Sequence, residues 1–232
     1  MRQLALPFAE MQGFAAEDFC GAPSNALARD WLDRPESWSN GRLVLWGEAG
    51  CGKTHLLHIW AAAHRAALLD GGALHGLIRP TGPVAVDDAD IVPDPRTLLH
   101  LLNSAAESGF PVLMTARTPP WRQSYKLADL GSRLRASEVV EIRAPEDELL
   151  ALLLTRLTAE RQLMLGIAVR NYLLTHLPRT AAAMREAVAR LDRVAFDRGA
   201  RLTRALAAEL LKDLCQDLCN DNGHLCNSDG AT

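Results

Sequence analysis

Apolar and polar positions divide this chain into two regimes. Up to about residue 143, short apolar runs at 43–46, 84–86, 110–114 and 139–142 alternate with segments of helical spacing. That alternation is the mark of a parallel sheet with crossover helices. Residues 67–69 form a weaker strand candidate. After Ala144-Pro145 the spacing becomes wholly helical, over 146–162, 168–177, 180–196 and 203–214, with Gly166, Pro178 and Gly199 as punctuation. The pattern predicts an α/β domain over 14–143 and a small all-helical domain over 144–214, preceded by a short segment, 1–13, and followed by a polar, unstructured tail, 215–232.

Between the run ending at Trp46 and the helical segment that begins His55-Leu56-Leu57 lies Gly47-Glu48-Ala49-Gly50-Cys51-Gly52-Lys53-Thr54, a fit to the phosphate-binding pattern G-x-x-x-x-G-K-[ST] at every fixed position. Glycines let backbone N–H groups curl around a phosphate, Lys53 reaches the outer phosphates, and the Thr54 hydroxyl can ligate Mg²⁺. Strand before and helix after are the context that the motif needs. Gly47, Gly50, Cys51, Gly52, Lys53, Thr54 and His55 are therefore the candidate contacts to a nucleoside triphosphate.

A phosphate loop also needs an acidic strand end, and Pro83-Val84-Ala85-Val86-Asp87-Asp88 supplies one. Asp87 would hold Mg²⁺ through water, and Asp88 would orient and polarise the attacking water. The next run, 109–116, ends in a polar Thr115 that could reach the γ-phosphate or that water.

Composition bounds the rest. The chain has 232 residues, 48% of them hydrophobic, enough for one sizeable core plus a small second domain. A formal charge of −3 argues against bulk binding to a nucleic-acid backbone, so direct DNA binding is expected to be weak or absent. No stretch approaches 18 uninterrupted apolar residues and the start lacks a signal-peptide layout, which predicts a soluble, cytoplasmic protein with no membrane partner. Cys20, Cys51, Cys215, Cys219 and Cys226, an odd and scattered set, read as free thiols. The tail cysteines with His224 have none of the usual zinc spacings. Oxidation of Cys51 inside the loop could block nucleotide, although a small buried side chain is the simpler reading.

These residues together resemble the AAA+ ATPases of the replication-initiator DnaA type. Phe14 to Ala28 is similar to the segment that precedes the first strand in that family and flanks the adenine. Asp87-Asp88 resembles its second acidic motif, Thr115-Ala116-Arg117-Thr118-Pro119-Pro120 its sensor-1 strand and following turn, and Gly131-Ser132-Arg133-Leu134 its arginine-finger motif. The resemblance implies that Arg133 reaches the γ-phosphate of a neighbour's nucleotide, in a homo-oligomer or with another protein.

Three departures set the chain apart from an initiator. Only polar, Cys-containing residues follow Leu214, too few for a helix-turn-helix domain. The stretch 65–82 leaves little room for the helical insertion that initiators use on single-stranded DNA. Gln3, Leu4, Leu6, Pro7 and Phe8 resemble a peptide that docks on the DNA sliding clamp. Such features resemble the Hda-type regulators, short DnaA homologues that carry the clamp to DnaA and stimulate hydrolysis of DnaA-bound ATP. Arg117 stands where initiators carry an acid, and Ala182 where they carry a sensor-2 arginine, with Arg179 and Arg185 about one turn to either side. A weakened γ-phosphate shell fits a chain that holds ADP as a structural ligand better than one that turns over ATP itself, so the resemblance implies ADP or ATP as its nucleotide, weak hydrolysis of its own and catalysis on a partner's ATP. The competing readings are a DNA-handling AAA+ protein, either a truncated initiator or a helicase loader, and a small-molecule P-loop kinase.

Overall fold

A computed structural model describes residues 14–198 and 202–221. Five strands, β1 (Arg42–Trp46), β2 (Ala67–Asp70), β3 (Val84–Asp87), β4 (Val112–Ala116) and β5 (Glu138–Glu141), pair in parallel in the order β2-β3-β4-β1-β5. Around them lie α1 (Ala26–Leu32), α2 (Lys53–His64), α3 (Pro95–Ser108) and α4 (Ala128–Arg135). The helical domain comprises α5 (Asp147–Glu160), α6 (Ile167–His176), α7 (Ala181–Arg198) and α8 (Arg204–Asp221).

Strand side chains alternate between two faces, and both faces are buried, which is why the strands read as continuous apolar runs. Leu43, Leu45, Ala85 and Leu113 pack with Leu57 and Trp60 of α2. Val44, Val84, Val86 and Met114 pack on the other face with Leu98 and Leu101 of α3 and Leu134 of α4. A third core lies within the helical domain, where Leu150 and Leu154 of α5 meet Leu173, Met184, Val188 and Leu211. Helix α3 shows how local chemistry places these elements: Asp94 accepts a hydrogen bond from the Arg96 amide at 2.9 Å, Pro95 opens the first turn, and Gly109 closes the helix at φ 70°.

Differences from the sequence reading have local causes. The run at 110–114 becomes a strand two residues later because the Phe110 amide bonds back to the Ala105 carbonyl and still belongs to the end of α3. Helix α5 stops at Glu160, ahead of Gln162 in the left-handed region at φ 53°. Helix α8 continues past Leu214 to Asp221, into the stretch expected to lack structure. Gln3, Leu4, Leu6, Pro7 and Phe8 lie outside the described residues, as do His224 and Cys226. Among the described residues, no helix is long and apolar enough to cross a membrane.

Candidate nucleotide site

The parallel sheet delivers the phosphate loop and the acidic strand to one edge. The loop leaves the C-terminal end of β1, and Gly50 and Gly52 adopt φ of 78° and 105°, a region that side-chain-bearing residues rarely occupy. A Cβ at Gly50 would come within 2.6 Å of the Thr180 side chain, so the loop and the entry to α7 touch with no room between them. Lys53, 7% exposed at the first position of α2, donates to the carbonyls of Gly47 at 2.7 Å and Glu48 at 2.8 Å. The ammonium is thus buried inside the loop that it would offer to a phosphate.

Across the loop, Asp87 ends β3. Its Oδ1 accepts from the Thr115 hydroxyl at 2.5 Å and the Thr54 hydroxyl at 3.2 Å. Thr115 in turn accepts the Asp88 amide at 2.8 Å. The fully buried Thr115 therefore binds the two acids of β3 together, whereas its sequence position alone suggested the γ-phosphate or the attacking water. Asp88 sits in the left-handed region at φ 48°. Burial first, then the Asp87 and Asp90 charges, push its carboxyl above the usual carboxylate range. The hydroxyl of Thr54 and the carboxylate of Asp87 converge as hard oxygen donors, a set that fits Mg²⁺ completed by water and phosphate oxygens. The ion would shield phosphate charge there. Among the described residues, no group of three or more His, Cys, Asp or Glu gathers as an all-protein metal cage.

Between loop and helical domain lies a cleft of about 520 Å³, counted with its open mouth, lined by Phe19, Cys51 and His55 on one side and by Leu149, Leu153 and Arg185 on the other. His55 Nε2 lies 3.0 Å from the Ala15 carbonyl, and its ring meets Phe14 and Phe19 edge-on. It fastens the 14–19 segment to α2 at the wall of the cleft. Burial lowers its pKa below the usual histidine value. Burial pushes the Cys51 thiol up, which keeps it protonated and blunts its nucleophilicity.

The stretch from Glu17 to Ser24 is bound to the helical domain. The Ser24 amide and hydroxyl donate to the Glu146 carboxylate at 2.6 and 2.8 Å, and Arg156 of α5 bonds the Glu17 carbonyl and the Asp18 carboxylate.

The two arginines that flank Ala182 part ways. Arg179 is committed outside the cleft, with Nη1 2.6 Å from Asp147 and Nη2 2.9 Å from the Pro145 carbonyl. Arg185 lines the cleft, and its buried Nε has no hydrogen-bond partner. Ala182 is exposed. Sequence spacing alone left these two candidates equal, and the rotation of α7 separates them. Arg117 is exposed, its amide bonded to Asp90 Oδ2 at 2.8 Å.

Arg133 lies elsewhere. It is in the last turn of α4, with Nε 3.5 Å from Asp129, and the turn that ends this helix is fastened to the approach to β1, where the Asn40 side-chain amide donates to the Ala136 carbonyl at 3.1 Å. The phosphate loop follows the other end of β1. At about 3.3 Å per residue, the strand keeps roughly 16 Å between Arg42 and that loop. Arg133 therefore belongs to the opposite sheet edge from the chain's own phosphate loop.

This is the fold of a DnaA-like AAA+ P-loop domain. The crystal structure of domain III of the Thermotoga maritima initiator DnaA superimposes with a TM-score of 0.71 at 18% identity, covering 88% of this chain and 97% of that one. AMPPCP-bound DnaA from Aquifex aeolicus superimposes with a TM-score of 0.66 at 18% identity, over 79% of this chain and 66% of that one. In sequence, the chain is 27% identical to an uncharacterized protein of Haemophilus influenzae, covering 90% of this chain and 98% of the relative. It is 28% identical to the chromosomal replication initiator protein DnaA of Sphingopyxis alaskensis over 84% of this chain, which spans half of that initiator's length. No protein-family model matches the chain.

Proposed function

We propose that this chain binds an adenine nucleotide with Mg²⁺ in the cleft between its two domains and acts, through Arg133, on ATP held by another AAA+ chain. The reading follows the Hda-type regulators: the partner is the replication initiator DnaA, the N-terminal peptide docks on the sliding clamp, and the outcome is restraint of replication initiation. The observation that carries it is the separation of Lys53, Thr54 and Asp87 from Arg133 on opposite sheet edges. One set serves the chain's own nucleotide and the other faces outward. Nucleotide binding is supported by the AMPPCP found in the Aquifex aeolicus initiator of the same fold.

In this role Lys53 and the loop amides hold the β- and γ-phosphate oxygens, and Thr54 with Asp87 positions the ion. Arg185 faces the bound nucleotide from the helical domain, so occupancy sets the angle between the domains. Arg133 neutralises charge that develops on a partner's γ-phosphate only in the transition state, an effect typically worth roughly 10³ to 10⁵ in rate.

Arg133→Ala tests the central claim. It should abolish stimulation of DnaA-bound ATP hydrolysis while leaving the chain's own nucleotide affinity and clamp binding intact. Full stimulation by that variant would remove Arg133 from the reaction. Mass-spectrometric identification of the nucleotide that co-purifies with the chain would assign ADP or ATP as the resident ligand.

A further inference from the structure

Asn25 occupies the N-cap of α1, where a side chain of its type ordinarily accepts from the first-turn amides of the helix, yet it makes no such bond. Its carboxamide turns back on the preceding chain instead. Oδ1 accepts from the Ala22 amide at 3.0 Å and Nδ2 donates to the Cys20 carbonyl at 3.1 Å, while the Asn25 backbone amide donates to the Ala22 carbonyl at 3.1 Å. Among the described residues, the backbone of Cys20, Gly21 and Ala22 makes its hydrogen bonds to Asn25. Asn25 is only 2% exposed, so a shift of the turn would leave a buried carboxamide without partners. Side chain and turn hold each other.

The turn so held stands in the wall of the nucleotide cleft, where Phe19, Cys20 and Asn25 line one side and Leu149, Leu150 and Leu153 the other. With phosphates drawn to the loop amides and Lys53, this largely apolar stretch is left to the base. Apolar walls hold any purine, and choice between purines needs a polar group of fixed direction. The Cys20 amide donates to no described residue. On its pairing edge adenine carries an acceptor, N1, where guanine carries the N1–H donor, so an amide donor pairs with the first and opposes the second.

We propose that Asn25 is the positioning residue for base choice: by fixing the Cys20–Ala22 turn it directs the Cys20 amide at the base and sets a preference for adenine over guanine. The proposal rests on the reading that the cleft holds a nucleotide, and it gives a part in selecting that nucleotide to a residue outside the phosphate loop and the acidic strand end. Helix α1 forgoes its side-chain cap, and the cleft wall gains a rigid turn, as a site that reads by one backbone donor requires. Because the effect passes through the turn, it is felt at the base and not at the phosphates.

Calorimetry in Mg²⁺ would compare ADP, GDP and pyrophosphate on wild type, Asn25→Ala and Asn25→Ser. Serine is a good N-cap residue but too short to hold both Cys20 and Ala22, so Asn25→Ser keeps the start of α1 and frees the turn. Wild type should bind ADP about tenfold more tightly than GDP, and in both variants ADP should weaken about tenfold, the equivalent of one hydrogen-bonded contact, which brings the two nucleotides within about twofold of each other. Pyrophosphate affinity should stay at the wild-type value, which also reports that each variant is folded. An ADP-to-GDP ratio unchanged in both variants would overturn the proposal, as would pyrophosphate weakening in step with ADP, because Asn25 would then support the loop and not the base. Pyrophosphate binding by a wild type with no base preference would sink base choice alone. Binding of none of the three probes by wild type would overturn the nucleotide reading, and base choice with it.

Discussion

The Thr115 hydroxyl gives its hydrogen to Asp87 and receives that of the Asp88 amide, so one side chain sets the geometry of both acids at the end of β3. Thr115→Val keeps the shape and removes both bonds. Leaving a buried amide and a carboxylate oxygen short of a partner should cost about 1–3 kcal/mol of stability. Mg²⁺-dependent nucleotide binding should weaken with it, and Thr115→Ser should restore both. Denaturant titration and calorimetry with and without Mg²⁺ would check this, and an unchanged midpoint in Thr115→Val would rule out the coupling.

Lys53 spends its hydrogen bonds on the Gly47 and Glu48 carbonyls within the loop. Lys53→Ala therefore removes an internal brace together with the proposed phosphate contact. Loss of a contact of this kind typically costs about 2–5 kcal/mol of binding, and nucleotide should no longer co-purify. Wild-type affinity for ADP and ATP in this variant would refute the phosphate-loop assignment.

Arg185 and Arg179 should behave differently. Arg185→Ala removes a charge from the cleft and should weaken ATP binding more than ADP binding. The Arg179–Asp147 pair is largely exposed, and an exposed pair contributes only about 0–1 kcal/mol. Arg179→Ala should leave both affinities within twofold. Equal losses in the two variants would mean that the rotation of α7 does not select between them.

His55 gives a pH dependence with a definite sign. Its folded pKa lies below the ordinary histidine value of about 6.5, so the unfolded chain takes up the proton first as pH falls. The neutral ring's contribution is fully present above that value and is lost as pH drops through it towards the folded pKa. Wild type should lose stability as pH falls from about 7.5 through the ordinary histidine value of about 6.5, and His55→Gln should show a flatter profile over that range. Parallel profiles would show that His55 is not the group responsible.

The N-terminal peptide gives a prediction from the sequence itself. Gln3→Ala combined with Leu6→Ala should eliminate binding to purified sliding clamp while nucleotide content stays unchanged, because an extended peptide is read by side-chain pockets on its partner. Wild-type clamp affinity in the double variant would sink the adaptor reading.

The features legible in the sequence were those fixed by short-range chemistry. The glycine spacing of the loop, the acids closing the run at 84–87 and the periodicity after Pro145 each follow from neighbours in the chain. The parallel sheet and helical domain that they implied, and the AAA+ fold that the family resemblance implied, are the fold observed. Features set by rotation and packing were not legible. Nothing local says that Thr115 faces Asp87, or that α7 turns Arg185 into the cleft and Ala182 away from the core. Even the start of β4 depended on how α3 ends, since Gly109 carries the chain into a closing turn that takes Phe110 with it.

Contact between Gly50 and Thr180 has a kinetic meaning. A phosphate seated in the loop lies beneath the entry to α7, and no side chain at Gly50 holds the two surfaces apart. In the proposed nucleotide-bound state, this contact stands across part of the exit from the cleft, so release is expected to slow as long as the two surfaces stay together. The bonds of Ser24 to Glu146 and of Arg156 to Asp18 hold the helical wall of that cleft in place, so breaking either should shorten the residence time of the proposed nucleotide.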